Sequence, residues 1–224
     1  MNRVVIRSLQ CICLGSILFG ASGCQMFYFL TPERKEKIPA EYSQIGARKV
    51  GVLVWAEQST LDMDPLARLR VCKPVTYYMK QNMPDAKFVE PITVAEFQER
   101  SGLDWEGMSA NEVCKQLKCD LLLRIDLLEY TTRALSAREL RKGRVRGTVN
   151  LYSTEESAGV DPVYRAEVVA TYPPSSTQGV LDQSDADILR ECVDEFGLAV
   201  ARKFYDHEIA YTETGRRKER GETK

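Results

Sequence analysis

The chain has 224 residues, of which 44% are hydrophobic and 28% charged, and its formal net charge is −1. That is enough apolar material for a sizeable core in one domain plus tails, which excludes a wholly disordered chain. The near-neutral balance gives no electrostatic pull toward nucleic acid, so no nucleic-acid partner is expected.

The first element is the stretch "LGSILFGASGCQMFYFL". Leu9 to Leu30 is long enough to cross a bilayer, for which about 20 apolar residues suffice, so length alone does not separate a retained span from a signal. The order of residues favours a signal. Arg3 and Arg7 form a basic n-region, Leu9 to Phe19 an apolar h-region, and Gly20-Ala21-Ser22-Gly23 a run of small residues that fits a peptidase cleft. Basic residues also stand on both sides, with Arg34, Lys35 and Lys37 following the run, which denies a retained helix its charge asymmetry. Ala21-Ser22-Gly23-Cys24 resembles the lipobox of a bacterial lipoprotein precursor, with Ala where Leu is commoner. The resemblance implies cleavage before Cys24 and acyl chains on it. At ~0.8 kcal/mol per buried CH₂, two or three chains hold far better than one. "MFYFL" then lies at the headgroup level, where aromatic side chains are favoured. Gln25 is not the Asp that favours inner-membrane retention, so the periplasmic face of the outer membrane is the expected location.

The expected organisation is a signal peptide over 1–23, a lipidated tether over 24–48, a single α/β domain over 49–211 and a disordered polar tail over 212–224. "TPERKEKIPAEYSQIGARK" reads as linker because it is charged, carries two prolines and has no apolar period. The tail "TETGRRKERGETK" is polar, and its basic cluster reads as solvated rather than lipid-bound.

Within the domain, the valine-rich run "KVGVLVWA" reads as a buried strand. Asp64-Pro65 offers an N-cap and a first-turn proline for a helix toward "YYMKQNM", and Pro74 either kinks that helix or marks its true start. "AKFVEP" is a second strand closed by Pro91, followed by a helix over Thr93–Arg100, a loop around "LDWEG", and a short helix "ANEVCKQLK" capped by Ser109. Three strands come next. Leu121, Leu123, Ile125 and Leu127 alternate with Arg124 and Asp126. Val145, Val149 and Leu151 alternate with Arg144, Arg146, Thr148 and Asn150, and Tyr164, Ala166, Val168 and Ala170 with Arg165, Glu167 and Thr171. The expected sheet has one greasy and one charged face. A last helix carries Ile188, Leu189, Cys192, Val193, Phe196, Val200 and Phe204 as a stripe able to cover the greasy face.

The expected fold is therefore α+β, an α/β sandwich with a mixed sheet, helices on one face and the order β-α-β-α-α-β-β-β-α. From roughly Lys49 to His207 the chain resembles the domain shared by the curli-secretion lipoproteins, the TolB amino-terminal domain and assorted small bacterial envelope lipoproteins. "KVGVLVW", "EVCKQLKCDLLLRIDLLEY", "RGTVNLYSTEE" and "PVYRAEVVATY" carry the resemblance. Those families have Leu-Gly-Ala-Asp at the helix-to-strand passage, with glycine at the helix end. This chain has Leu117-Lys118-Cys119-Asp120, and a left-handed Lys118 would cost on the order of 1 kcal/mol.

No catalytic or metal motif stands out. His207 has no nucleophile pattern beside it, and Asp120, Asp126 and Glu129 read as solvated or paired carboxylates. Cys72, Cys114, Cys119 and Cys192 remain once the signal and Cys24 are set aside. They are free or disulfide-bonded, and Cys114-x₄-Cys119 lacks the further ligands zinc needs. No cofactor is expected. The reading is a non-catalytic, lipid-anchored envelope lipoprotein, held in the membrane through Cys24 and acting as adaptor for an envelope protein. Self-association is compatible with it. Its candidate partner face is Arg124, Asp126, Arg144, Arg146, Arg165 and Glu167. A subunit of a secretion pore is the alternative, and an unrecognised periplasmic enzyme the third reading. The hairpin connections "ALSARELRK" and "STEESAGVD" are too polar for membrane strands.

Overall fold

A computed structural model describes residues 35–133, 141–155, 161–173 and 183–210. The signal, the lipobox with Cys24, most of both hairpin connections and the tail 212–224 lie outside the described residues. The strands are β1 (Lys35–Ile38), β2 (Lys49–Trp55), β3 (Lys87–Phe88), β4 (Leu121–Arg133), β5 (Arg141–Ser153), β6 (Tyr164–Tyr172) and β7 (His207–Ala210). The helices are α1 (Gln58–Met63), α2 (Ala67–Asn82), α3 (Pro91–Ser101), α4 (Ala110–Leu117) and α5 (Asp185–Ala201).

Five strands form a mixed sheet in the order β3-β2-β4-β5-β6, with β2 parallel to β3 and β4 and the remaining pairs antiparallel. The α+β class and the mixed sheet are as the sequence predicts. β2 is buried on both faces, which is why it reads as a continuous apolar run rather than an alternating one. Its Val52 and Val54 join Leu121, Leu123, Ile125, Val149 and Leu151 in one core under α2 and α5. The α5 stripe behaves as its spacing requires, with Ile188, Cys192, Phe196 and Val200 all at 0% exposure.

Helices also cover part of the other face. Leu53 and Leu122 point away from the main core into a second cluster with Phe97, Trp105, Val113 and Leu117, supplied by α3, the 3₁₀ turn Asp104–Gly107 and α4. The one-sided covering predicted from alternation therefore holds for the β5–β6 half only. Two apolar residues, Leu53 and Leu122, at positions that alternation assigns to the polar face, demand the second layer.

Three boundaries differ from expectation. Residues 35–48 do not form a bare tether: Lys35–Ile38 pairs antiparallel with β7, and Ile45 is buried against the main core. A four-residue charged strand carries too little apolar period to be visible in sequence. Asp64 does not cap α2. Its carboxylate accepts the Leu66 N–H at 3.1 Å and its carbonyl the Ala67 N–H at 3.0 Å, so a turn separates α1 from α2. α2 then runs through Pro74 to Asn82. Finally, α5 ends at Ala201, short of Phe204, the last residue of its expected stripe, and His207 opens β7 beside Tyr205.

Candidate partner-binding face

β4, β5 and β6 are long, and beyond the second cluster their outer face is polar. Cross-strand register decides which charges meet. Arg124 lies opposite Asn150, which lies opposite Arg165, and Asp126 lies opposite Thr148, which lies opposite Glu167. The Arg124 guanidinium pairs with Asp126 at 2.8 Å along its own strand. Asn150 links the strands: its amide N–H donates to Asp126 at 3.3 Å and its amide oxygen accepts from Arg165 at 2.8 Å.

A β-bulge builds the other half of the face. Leu127 pairs with Gly147 but Glu129 pairs with Arg146, so Leu128 is the extra residue. The bulge reverses the alternation of β4. Glu129 joins Asp126 on the polar face, and Tyr130 turns into the core, where its hydroxyl donates to Asp64 at 2.7 Å. Glu129 then receives two cations, Arg144 at 2.5 Å and Arg146 at 3.1 Å, and Arg146 reaches Glu167 at 3.2 Å. Cross-strand pairs of this kind each contribute roughly 0.2–1 kcal/mol.

All six predicted face residues thus lie on one surface, in two networks. Arg124 and Asp126 extend through Asn150 to Arg165, while Arg144, Arg146 and Glu167 gather around Glu129. Among the described residues, Arg165 forms no ion pair; its described contact is the amide oxygen of Asn150.

Sequence reasoning missed the neighbour of this face. Where the second cluster stops, a cleft of about 310 Å³ opens, lined by Leu53, Trp105, Met108, Val113, Leu122 and Tyr152, with Arg124 at its charged edge and α4 along one side. Trp105 is 1% exposed, its indole N–H has no acceptor among the described residues, and the Arg68 guanidinium stands 5.1 Å over its ring. The signal was present: a tryptophan in the otherwise polar "LDWEG" is costly to leave in water and asks for a buried site.

The acid/base and metal candidates go elsewhere. Asp120 accepts the Lys49 N–H at 2.8 Å and starts the β2–β4 ladder, and Asp126 and Glu129 are in the networks above. Among the described residues, no three metal-ligating side chains come together. Cys72 and Cys192 are buried beneath the sheet, and burial pushes each thiol up to about 12.

No family model matches the chain. No curated protein matches it either. Solved structures resemble it loosely. The PelC dodecamer from Paraburkholderia phytofirmans is 12% identical over 77% of this chain and 98% of that one, with a TM-score of 0.43. Lipoprotein GNA1162 from Neisseria meningitidis is 14% identical over 63% and 89%, with a TM-score of 0.40. A minor lipoprotein from Acinetobacter baumannii is 13% identical over 70% and 90%, with a TM-score of 0.35.

Proposed function

We propose that the protein is a non-catalytic lipoprotein of the cell envelope, anchored by acyl chains on Cys24, that holds a protein partner on the outer face of β4–β6. The face supplies charge in a fixed pattern and the Trp105 cleft supplies a seat for an apolar side chain. That combination, an apolar centre with a polar and charged rim, is the usual anatomy of a specific protein contact.

The observation that carries the reading is the junction at Arg124, where the apolar cleft meets the charge network on one continuous surface. The fold's entry point supports the anchor. β1 is clamped to β7, with Lys35 opposite Ala210, and an extended chain from Cys24 to Lys35 reaches at most about 40 Å at ~3.5 Å per residue. With acyl chains on Cys24, that reach would hold the domain near the bilayer by the end at which β1 and β7 meet. The resemblance of Lys49 to His207 to the TolB and curli lipoprotein domains fits an accessory role in envelope transport or assembly. The face's carboxylates are engaged by guanidinium groups and lie on an open sheet, a poor setting for acid/base chemistry.

Two measurements test this. Labelled palmitate should enter the wild-type protein and not Cys24→Ser, and sucrose-gradient fractionation should place the wild type in the outer membrane. Photo-crosslinkers at Met108 and Arg165 should capture one common partner in intact cells, while a crosslinker at Lys73 on α2 should not. Unlabelled wild type contradicts the anchor; equal capture from Lys73 contradicts the face.

A further inference from the structure

The last turn of α4 closes as a Schellman motif. The Cys119 N–H donates to the Cys114 carbonyl at 3.0 Å and the Lys118 N–H to the Lys115 carbonyl at 3.4 Å, with Lys118 left-handed between them at φ 52°, ψ 53°. This closure brings the side chains at its two ends into contact, ordinarily as an apolar pair. Here both ends are cysteines, and both are buried in the second cluster.

Gly51 on β2 makes the room. A Cβ there would stand 3.0 Å from the Cys119 Sγ. The other two cysteines are differently placed. The Cys72 thiol donates to the Val52 carbonyl at 3.3 Å and the Cys192 thiol to the Ala170 carbonyl at 3.5 Å, so each is tied to backbone.

We propose that Cys114 and Cys119 are a redox-active dithiol that closes to an intramolecular disulfide, with a small-molecule or protein disulfide as oxidant, and so locks α4 to the start of β4. Cys119 attacks first. The Cys114 thiol and the Gly51 N–H beside it hold the Cys119 thiol below its ordinary range, while Cys119 and burial hold Cys114 above its own. The Cys119 thiolate attacks one sulfur of the oxidant, forming a mixed disulfide and releasing one thiolate. Cys114 then loses its proton and attacks the Cys119 Sγ, releasing the second thiolate. Two electrons pass to the oxidant, and the two thiol protons end on its two halves. Both sulfurs are buried, so the exchange runs through local opening of the short α4.

The pair's place gives it a use. Ser109, which caps α4, and Ala110 and Val113 of α4 form one wall of the Trp105 cleft and Leu122 of β4 another, so the disulfide fixes the relation between the two. In the cell the proposal rests on the envelope reading for an oxidising setting; the chemistry of the pair does not.

The test is to equilibrate the full-length protein with mixtures of reduced and oxidised glutathione, quench with acid, unfold, alkylate with a maleimide and map the peptides by mass spectrometry. Cys114 and Cys119 should lose their alkylation together, at a mass lower by two hydrogens, while Cys72 and Cys192 remain alkylated. The oxidised form should melt about 4–8 °C above the reduced form. Cys114→Ser should accumulate one glutathione on Cys119, whereas Cys119→Ser should leave Cys114 unmodified. Thiols that stay alkylatable in excess oxidised glutathione, or pairing of either with Cys72 or Cys192, overturn the proposal. Palmitate on Cys24 is read in parallel. A pair that closes in a protein without lipid contradicts the envelope reading alone, and a lipidated protein whose pair will not close contradicts the dithiol alone.

Discussion

Gly197 of α5 lies directly against the Pro74 ring of α2: a Cβ on Gly197 would fall 2.6 Å from the Pro74 Cβ and 2.9 Å from its carbonyl carbon. Two residues that local propensity disfavours in helices meet where the two covering helices pack. The missing side chain on one lets the rigid ring of the other pack against backbone. Nearby, the Tyr78 hydroxyl of α2 donates to Asp194 of α5 at 2.7 Å, tying the same pair of helices.

Gly197→Ala should therefore destabilise the domain although alanine is the better helix former. The propensity gain is about 1 kcal/mol, while overpacking against an unyielding ring costs about 1–3 kcal/mol. Urea denaturation should show a lower midpoint. An unchanged or higher midpoint would mean that the helices can move apart at no cost.

Lys118→Gly should act in the opposite direction. Lys118 holds φ 52° with its side chain exposed, so glycine relieves left-handed strain without removing a buried contact. A gain of about 1 kcal/mol is expected in denaturant unfolding. A loss would show that the lysine side chain contributes something the helix end needs.

Stability should fall as pH rises above 9. Cys72 and Cys192 are each raised by burial from an ordinary 9.0 to about 12, so both thiols stay protonated in the folded state while the unfolded chain ionises. Their stabilisation is complete below pH 9 and is lost between 9 and about 12, by about 1.4 kcal/mol per pH unit for each thiol. Burial likewise holds the Tyr130 and Tyr164 hydroxyls well above their usual range, while Cys119 moves the other way. Cys72→Ala isolates one contribution: its stability should decline less steeply than wild type across this window. Parallel pH profiles would contradict the assignment.

Much of this fold is legible in the sequence because single residues carry single instructions. Leu121, Leu123, Ile125 and Leu127 face the main core as alternation requires, and Ser109 with Glu112 forms the full capping box, the Ser109 N–H donating to Glu112 at 2.7 Å. The Lys118 departure from glycine correctly marks a left-handed residue. What escapes depends on tertiary partners. The bulge at Leu128 has no local signature, yet it decides that Glu129 and not Tyr130 faces the arginines. β1 exists because β7 pairs with it, and Lys35 and Lys37 are held by Glu208 at 3.5 Å and Asp206 at 3.6 Å, residues far along the chain. The six charges of the candidate face were readable from period two, but the Trp105 cleft beside them required two helical segments to converge on β4.

The face itself offers an unequal choice of substitutions. Arg144 and Arg146 both serve Glu129, so reversing them would gather like charges and disturb folding along with binding. Arg165 is the better probe, since its described contact is a neutral amide. Whether this face holds a partner is decided by measuring capture by the lipidated protein carrying Arg165→Glu, across a range of salt concentrations, beside its melting temperature. A several-fold loss of capture at low salt that narrows as salt rises is expected, because charge complementarity acts chiefly on association rate and specificity, with the melting temperature within about 2 °C of wild type. Undiminished capture of the same partner at every salt concentration would contradict it.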